Sequence, residues 1–566
     1  MAADLDPQAK YHSIQLLNGQ RWGNDNTLDE ANKVYMMPVE QWEPIKQNPQ
    51  QMIDIIQYFV QHHYEKQLPR IIELERYYKG DNDIHYANTH KGSNRADNRV
   101  TSGFPKYITD IKVGHAVGNP LKFQYSNDDN KDKDLIQAVQ DFNERNDESY
   151  HEKIMKKNLS VTGRAFELEY VKEGTTDVML RAIDPTNAFV VYDTDIEQHS
   201  LFAIRYYLVD FNNTKEYHIE VYTDDKVYYF TAGESPSLDI KFISQQDHFF
   251  NAVPLTEFIN NSERMGDWEA SLDKIDAIDK SLSEMANSQE DFSNAMLHID
   301  GDFNLADENG NLITNGKSNK PVINPQARII FTKPSIINDG LSTNSTVIPS
   351  NIGYLVKDTN VTDWKTYVDL LAAQIHKDTN TPDTSDQNFA GNVSGEAMSY
   401  KLWGQDQTRA TQQSLFTRGI MRRLRLLANY LTAKGTLSNK DNIENFNIVY
   451  TPNLPKNDNE TIQKISGLNT TGKFSDETIR ELAETITGIN AKTEGQRVDE
   501  QDKKDLEQDP IQQQFPRKPL IQTVDGSPLN RDYQRPKQNS RENDVNMINA
   551  VRLGEANGKT RSSTNH

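Results

Sequence analysis

The spacing of apolar residues changes several times along the chain, and each change marks a different element. Up to about residue 48 they are scattered among Gly, Asn and Pro, so residues 1–49 read as an extended N-terminal arm. From there the pattern is helical: Met52, Ile55, Ile56 and Phe59 fall on one face. Beyond Pro69, the residues Ile71, Ile72, Leu74 and Tyr77 start a second helix that Gly80 stops. A polar loop over 81–95 leads into a helix near 105–117, ended by Gly118-Asn119-Pro120, and another helix is predicted over 134–146. Between Ala165 and Phe250 the period drops to two. There EYHIEVYTDDKVYYFT, residues 216–231, predicts two strands around an Asp224-Asp225 turn, so this part of the chain is α+β.

After Pro254 the helical period returns. Met265, Trp268, Leu272, Ile275, Ile278, Leu282, Met285, Phe292 and Met296 recur mostly every three or four residues and predict one long amphipathic helix over 262–299. Its other side is acidic, with Glu263, Asp267, Glu269, Asp273, Asp276, Asp279, Glu284, Glu290 and Asp291 off the packing face. Residues 300–350 go back to strand and turn chemistry, with Asn309-Gly310 and Asn315-Gly316 as hairpin turns and ARIIFT as a strand. A helix over 361–377 and further helices over 396–433 flank an eighteen-residue loop, DTNTPDTSDQNFAGNVSG, which is too long for a minimal connection. In the 396–433 segment Arg418, Arg422 and Arg425 share one face, and Ile420, Leu424, Leu427 and Leu431 share another. A strand, FNIVYTP, precedes helices over 459–508, where Ser475 reads as an N-cap; after about 509 Pro, Gln, Asn and Arg dominate and the tail reads as disordered.

Composition narrows the class. With 83 acidic and 62 basic residues among 566, the formal charge is −21, which excludes a protein whose whole surface grips phosphates; any DNA contact is local or weak. The hydrophobic fraction is 35% and the mean hydropathy −0.78, polar for a monomeric globule, so packing is expected to be completed in an oligomer or part of the chain to stay unfolded. Cysteine is absent, which removes disulfides, thiolate metal sites and cysteine nucleophiles together. No signal-peptide pattern and no apolar run of about 18 residues is found, so a soluble chain with no membrane contact is expected.

Enzymatic motifs fail on spacing. A phosphate-binding loop needs four residues between its first glycine and Gly-Lys; Gly310 to Gly316 encloses five, and Gly554 to Gly558 three. Asp300, Asp302 and Asn304 open like a calcium loop, but Leu305 and Asn311 stand where Gly and Glu are required. Asp81, Asp83 and His85 read as a hydrated polar loop ahead of a metal site, and Ser394 sits one residue late for Gly-x-Ser-x-Gly. No catalytic residue, metal or cofactor is expected, although a metal-dependent nucleic-acid-processing enzyme built on scattered carboxylates stays open as an alternative.

Several blocks, in their order, resemble one known family. They are Tyr77-Tyr78-Lys79-Gly80; Asn98-Arg99-Val100 with Lys106-Tyr107-Ile108 and Gly118-Asn119-Pro120; Glu257-Phe258-Ile259-Asn260-Asn261 leading into the long helix; Glu290-Asp291-Phe292 with Asn294-Ala295; and Pro382-Asp383, Ser385-Asp386, Asn388-Phe389-Ala390-Gly391-Asn392 and Ser394-Gly395 ahead of a helix. Over about 50–500 the chain resembles the portal, or connector, proteins of tailed double-stranded-DNA bacteriophages, in the siphophage-type branch. The resemblance implies an α+β portal fold and a non-enzymatic, structural ring, expected to be a dodecamer, at one capsid vertex of the virion. The resemblance likewise implies that viral DNA is packaged and ejected through the channel of that ring. Implied partners are the terminase large subunit, then the head-completion (adaptor) and tail proteins, with the major capsid and scaffolding proteins around the ring; assembly is expected in the host cytoplasm. A different virion or scaffold protein with long helices is the remaining alternative.

By position, the resemblance implies a wing over 50–260 joined by 396–455, stem helices over 261–299 and 361–377, a clip over 300–360, a channel loop over 378–395 and a helical crown over 456–508. Asp378, Asp383, Asp386, Asn388, Phe389, Gly391 and Gly395 are the expected DNA-facing residues of that loop, which holds carboxylates and no base. Asp267, Asp273, Asp276 and Glu284 are expected on the acidic face of the stem helix, and Arg418, Arg422 and Arg425 in ion pairs with a neighbouring subunit.

Overall fold

The computed structural model describes residues 27–87, 96–126, 132–212, 214–293, 296–300, 304–306, 331–333, 335–338, 345–348, 351–355, 361–384, 395–437, 439–453, 458–489 and 491–508. Two compact units divide the chain at residue 457.

The first unit corrects the expectation of an extended arm for part of its length. Within 27–48, short helical turns at Leu28–Ala31 and Val39–Trp42 flank β1 (Tyr35–Met36), and Ala31, Tyr35, Met37 and Trp42 are buried. The reason is side-chain chemistry that scattered spacing conceals: Trp42 stacks on Phe202 at 4.2 Å between ring centroids, and Tyr35 packs edge-on to Phe59 and Phe189. Residues 1–26 of the arm lie outside the described residues.

Helix α1 (Pro49–His62) starts at Asn48, whose side chain accepts the Gln50 N–H at 3.2 Å. It runs through a π-turn at His63–Gln67 into α2 (Leu68–Tyr78), because Pro69 has no N–H to donate to Glu65 and the turn ahead of it widens. Then come α3 (Phe104–Val117), β2 (Lys122–Tyr125), α4 (Lys133–Arg145) and α5 (Glu148–Thr162). Periodicity does not predict α5, since its buried positions mix Met155, Leu159 and Val161 with Glu148, His151, Glu152, Lys156 and Ser160, and polar residues outnumber apolar ones on the packed face. Gly163 ends it at φ +80°; a Cβ there would sit 2.1 Å from the Arg264 carbonyl oxygen.

The strands follow. β3 (Arg164–Val171) pairs antiparallel with β4 (Val178–Ile183). β5 (Ala188–Tyr192), β6 (Ser200–Phe211), β7 (Thr214–Tyr222), β8 (Lys226–Ala232) and β9 (Lys241–Asp247) join β1 in a six-stranded sheet of order β1-β5-β6-β7-β8-β9, antiparallel except for β1. The predicted hairpin is present, with Tyr222 opposite Val227. β10 (Leu255–Ile259) completes a second, three-stranded sheet, β10-β3-β4. Period two explains the layering: along β5, Phe189 and Val191 face the α1 layer, while Ala188 and Val190 face Phe166, Ile183 and Leu255 of the second sheet.

The long helix is shorter than its periodicity suggests. Helix α6 spans Leu272–Ser293, and residues 260–268 are a tight turn against the end of α5. There Asp267 N–H bonds the Ser160 carbonyl at 2.8 Å and Asn260 N–H the Gly163 carbonyl at 3.0 Å. Trp268 is fully buried, its Nε1 donating to Thr109 Oγ1 at 3.0 Å, so its place in the apolar series reflects packing of a turn. At the other end, residues 296–300 are a strand, β11 (Met296–Asp300).

Short ladders follow: β12 (Asn304–Ala306) with β13 (Phe331–Lys333), then β14 (Ser335–Asn338) with β15 (Ser345–Ile348). β16 (Asn351–Leu355) returns to pair with β11, Met296 opposite Leu355, so the insertion opens and closes on one ladder. The Asn309-Gly310 and Asn315-Gly316 turns lie outside the described residues.

Helix α7 (Val361–Asp378) packs on α6, and α8 (Gly395–Ala433) crosses the second sheet, with Ile420, Leu424 and Leu427 buried against α4 and α5. Gly419 lets it close on β10, since a Cβ there would lie 2.3 Å from the Phe258 ring. β17 (Phe446–Val449) pairs with β2. The second unit, described over 458–508, holds α9 (Asp458–Thr471), α10 (Asp476–Thr487) and α11 (Ala491–Gln508), and Ser475 caps α10 through the Thr478 N–H at 3.2 Å, as its position predicts.

Candidate functional site

Four groups of side chains carry the features a functional reading can use. The first is a ladder along α6. Asp279, Ser283 and Asn287 recur every four residues, about 6.0 Å of helix rise. Beside them the extended segment 98–102 runs antiparallel, and its alternate N–H groups advance about 6.7 Å per two residues. The two spacings nearly match, so Asn98 N–H donates to Asn287 Oδ1 at 2.5 Å, Val100 N–H to Ser283 Oγ at 2.9 Å and Ser102 N–H to Asp279 Oδ1 at 2.6 Å. Asn98 Nδ2 also reaches Glu290 at 2.6 Å, and Asn82 Nδ2 reaches Asp279 at 2.6 Å. Burial raises the Asp279 carboxyl to about 6, against the pull of Asn82 and Ser102.

This rearranges the predicted acidic face. Asp279 packs, and Glu269 lies below α6 in a buried two-pronged pair with Arg70, at 2.7 and 2.6 Å. Asp267 is not on the helix: it is buried, accepting from Asn260 at 3.0 Å and Gln412 at 2.7 Å, with Lys112 Nζ at 3.5 Å. Burial alone would raise its pKa; Lys112 and Lys156 outweigh that and hold it at about 2. Asp276 accepts the Tyr77 hydroxyl at 2.5 Å. Asp273 and Glu284 are exposed on α6.

The second group is the start of the 378–395 loop. Asp378 belongs to α7 and takes Lys274 of α6 as partner. Thr379 and Thr381 are buried, and Tyr107 fastens the next residues, its hydroxyl donating to the Pro382 carbonyl at 2.8 Å and accepting the Thr384 N–H at 2.9 Å. Gly395 is the first residue of α8. Asp383 lies between these two anchored residues; Asp386, Asn388, Phe389 and Gly391 lie outside the described residues.

The third is a buried charge network under α8. Arg423 donates to Glu167 at 2.8 and 2.6 Å and to Glu152 at 2.6 Å, and His151 Nε2 meets Glu167 at 2.6 Å. Burial would raise Glu167, yet Arg423 and His151 hold it at about 2. Glu148, without such a partner, is pushed up to about 8 by burial and by Glu152, and burial lifts Glu169 far above the carboxylate range. Arg423 is missed by reading faces. It falls among Ile420, Leu424 and Leu427, and an arginine inside an apolar face, matched by Glu148 and Glu152 four residues apart, is the signal that marks it.

The fourth is a cleft of about 500 Å³ beside α8, floored by β10 and lined by Arg418, Arg422 and Arg425. The partners seen for two of these arginines are in the same chain. Arg425 forms a two-pronged pair with Glu444 at 2.5 and 3.0 Å, and Arg422 donates to Thr256 Oγ1, Ser200 Oγ and the Val253 carbonyl. Arg418 is exposed.

Among the described residues no group of three or more His, Cys, Asp or Glu is placed to hold a metal, and no helix is long and apolar enough to cross a membrane. Asp83 is held by Arg76 at 2.6 Å, and Asp81 accepts the Tyr86 hydroxyl at 2.8 Å.

The profile of the family described as "Phage portal protein, SPP1 Gp6-like" matches residues 57–508. The chain belongs to this portal family. It is 26% identical over 314 residues to the portal protein of Bacillus phage SPP1, covering 51% of this chain and 56% of that protein. To the portal protein of Clostridium phage phiCD119 it is 27% identical over 247 residues, covering 39% and 52%. These matches thus span about half the length of those portal relatives. Among solved structures, the neck of an empty GTA particle computed with C6 symmetry is similar at 12% identity and a TM-score of 0.36, covering 69% of this chain and 90% of that one. The neck of the native GTA particle, computed with C12 symmetry, gives 12% and 0.35, covering 67% and 89%. The ladder, the arginine network and the cleft all lie inside the portal-family match.

Proposed function

We propose that the chain is the structural portal subunit of a tailed-phage virion: twelve copies close into a ring at one capsid vertex, and viral DNA passes through the channel during packaging and ejection. The observation that carries the reading beyond family membership is α7. Of its 18 residues only Ile375 is buried, while Val361, Tyr367 and Leu370 are 56%, 48% and 55% exposed. Tyr400 and Trp403 near the start of α8 are 75% and 64% exposed. Large apolar side chains on long helices with this little cover call for a partner surface, and a second copy of the chain supplies one.

In this reading α6 and α7 are the stem, and residues 300–360, which follow β11 and include its partner β16, are the clip. Residues 378–395, in which Tyr107 holds Pro382 and Thr384, are the channel loop. Terminase docks at the clip and is later replaced by head-completion proteins; ATP hydrolysis belongs to the motor, and the ring itself is not an enzyme. The test is Tyr367→Glu with Leu370→Asp. The double variant is expected to stay folded by circular dichroism and to run as monomer where the parent forms rings. Rings of unchanged size and stability would contradict the assignment of this face.

A further inference from the structure

The cleft beside α8 contains an imbalance of charge that the described residues do not resolve. Of the four arginines on its walls, Arg425 is paired with Glu444 and Arg264 with Glu257, which also takes Arg164 at 3.2 Å and the Tyr192 hydroxyl at 2.7 Å. Arg418 and Arg422 stand one helical turn apart and face no carboxylate within 4 Å among the described residues. Among the described residues, the three hydrogen bonds of Arg422 go to neutral oxygens, at 3.2, 2.6 and 3.1 Å, and come from Nε and Nη2, with none from Nη1. Glu169, the nearby buried acid, attracts Arg422 but has neither oxygen hydrogen-bonded and burial raises its pKa, while Glu197 on the cleft wall is paired with His199 at 3.2 Å. Two guanidinium groups left this way in a partly apolar cleft call for an anion, and a carboxylate matches their planar donor edges.

We propose that an Asp or Glu side chain of a second copy of this chain enters the cleft and is held between Arg418 and Arg422. The inference rests on the self-assembly reading above and names the contact that assembly would make here. Shape favours a side chain over a nucleic-acid backbone. The cleft holds about 500 Å³, and Leu255, Ile259, Leu415 and Leu426 line it, which suits an acidic residue with an apolar neighbour. Charge favours the same chain: it carries 83 acidic residues against 62 basic ones, and in an assembly those of a neighbour are present at high local concentration.

Arg418 is the residue to change, since it is exposed and holds no partner within its own chain among the described residues. Arg418→Glu is expected to keep the parent's melting profile and to require at least ten-fold more protein for assembly, and Arg418→Lys to recover part of that loss. In parallel, a photo-cross-linking residue at position 418, used in rings mixed from light and heavy isotope-labelled chains, is expected to join a light chain to a heavy one at a peptide containing Asp or Glu. Should Arg418→Glu fail to fold, this cross-link decides the matter alone. Assembly of Arg418→Glu equal to the parent, or cross-links confined to one chain, overturns the proposal while leaving the ring reading intact. Loss of duplex-DNA binding with assembly unchanged assigns the cleft to phosphate and overturns it too. A parent chain that never assembles removes both readings.

Discussion

Arg423 is fully buried, and what keeps it charged there is the arrangement of its acids: two carboxylates at 2.6 Å offset the desolvation of one guanidinium. The neighbouring Glu148 has no such compensation. Its folded-state pKa of about 8 lies above the ordinary value of 4.5, so the folded state holds the proton more tightly than the unfolded one. The stabilisation this gives is complete below about pH 4.5 and is lost as pH rises toward 8. Glu148→Gln, which stays neutral, is therefore expected to be more stable than the parent at pH 8, by on the order of 1 kcal/mol or more, and to match it near pH 4. Thermal melts at several pH values check this. An equal difference at both pH values would show that the carboxyl's charge is not the cause.

Among elements, legibility in the sequence followed the character of the buried face. The hairpin at 216–231 and the helix that carries Met52, Ile56 and Phe59 bury enough apolar side chains for the period to show, and both are present. Helix α5 buries Glu148, His151, Glu152, Lys156 and Ser160, so its packed face does not read as apolar. The series from Met265 to Met296 failed in the opposite way: apolar residues of a turn, a helix and a strand fell at helical spacing by coincidence, and Gly266 marked the break. A Cβ on Gly266 would lie 2.4 Å from the Val161 carbonyl oxygen, which only a turn packed on α5 explains. The α6 ladder was legible as residues but not as a device, because its partner is backbone. Ser283→Ala with Asn287→Ala is expected to cost about 1 kcal/mol per lost hydrogen bond. Amide hydrogen exchange over 96–103 should speed up while α8 stays protected. Unchanged exchange there would mean that the segment is held by other contacts.

At the scale of the molecule, the excess of acid over base acquires a use. Carboxylates facing a DNA channel repel phosphate by only about 1 kcal/mol per close pair in water, which prevents adhesion without blocking passage. In the proposed channel loop, Asp383, between the two residues that Tyr107 holds, and Asp386 are the carboxylates that would face DNA. Asp383→Lys with Asp386→Lys is expected to assemble normally and to yield fewer DNA-filled heads, with the defect easing as salt is raised. Wild-type yields of full heads would take this loop out of the DNA path. Family membership, the α+β architecture and the absence of a correctly spaced nucleotide loop were all readable from the sequence. The face of α7 was not, and the arginine face of α8 was read without showing that Arg425 pairs with Glu444 in its own chain, since both depend on which side chains folding leaves uncovered.

The central claim is that this chain closes into a ring with a hole, and the most direct test is native mass spectrometry with negative-stain imaging of the purified full-length protein at micromolar concentration. The account predicts a closed oligomer with a mass near a small integer multiple of 64.7 kDa, twelve for the assembled portal, with an axial opening in end-on views. A stable 64.7 kDa monomer with no rings at any concentration or salt would contradict it.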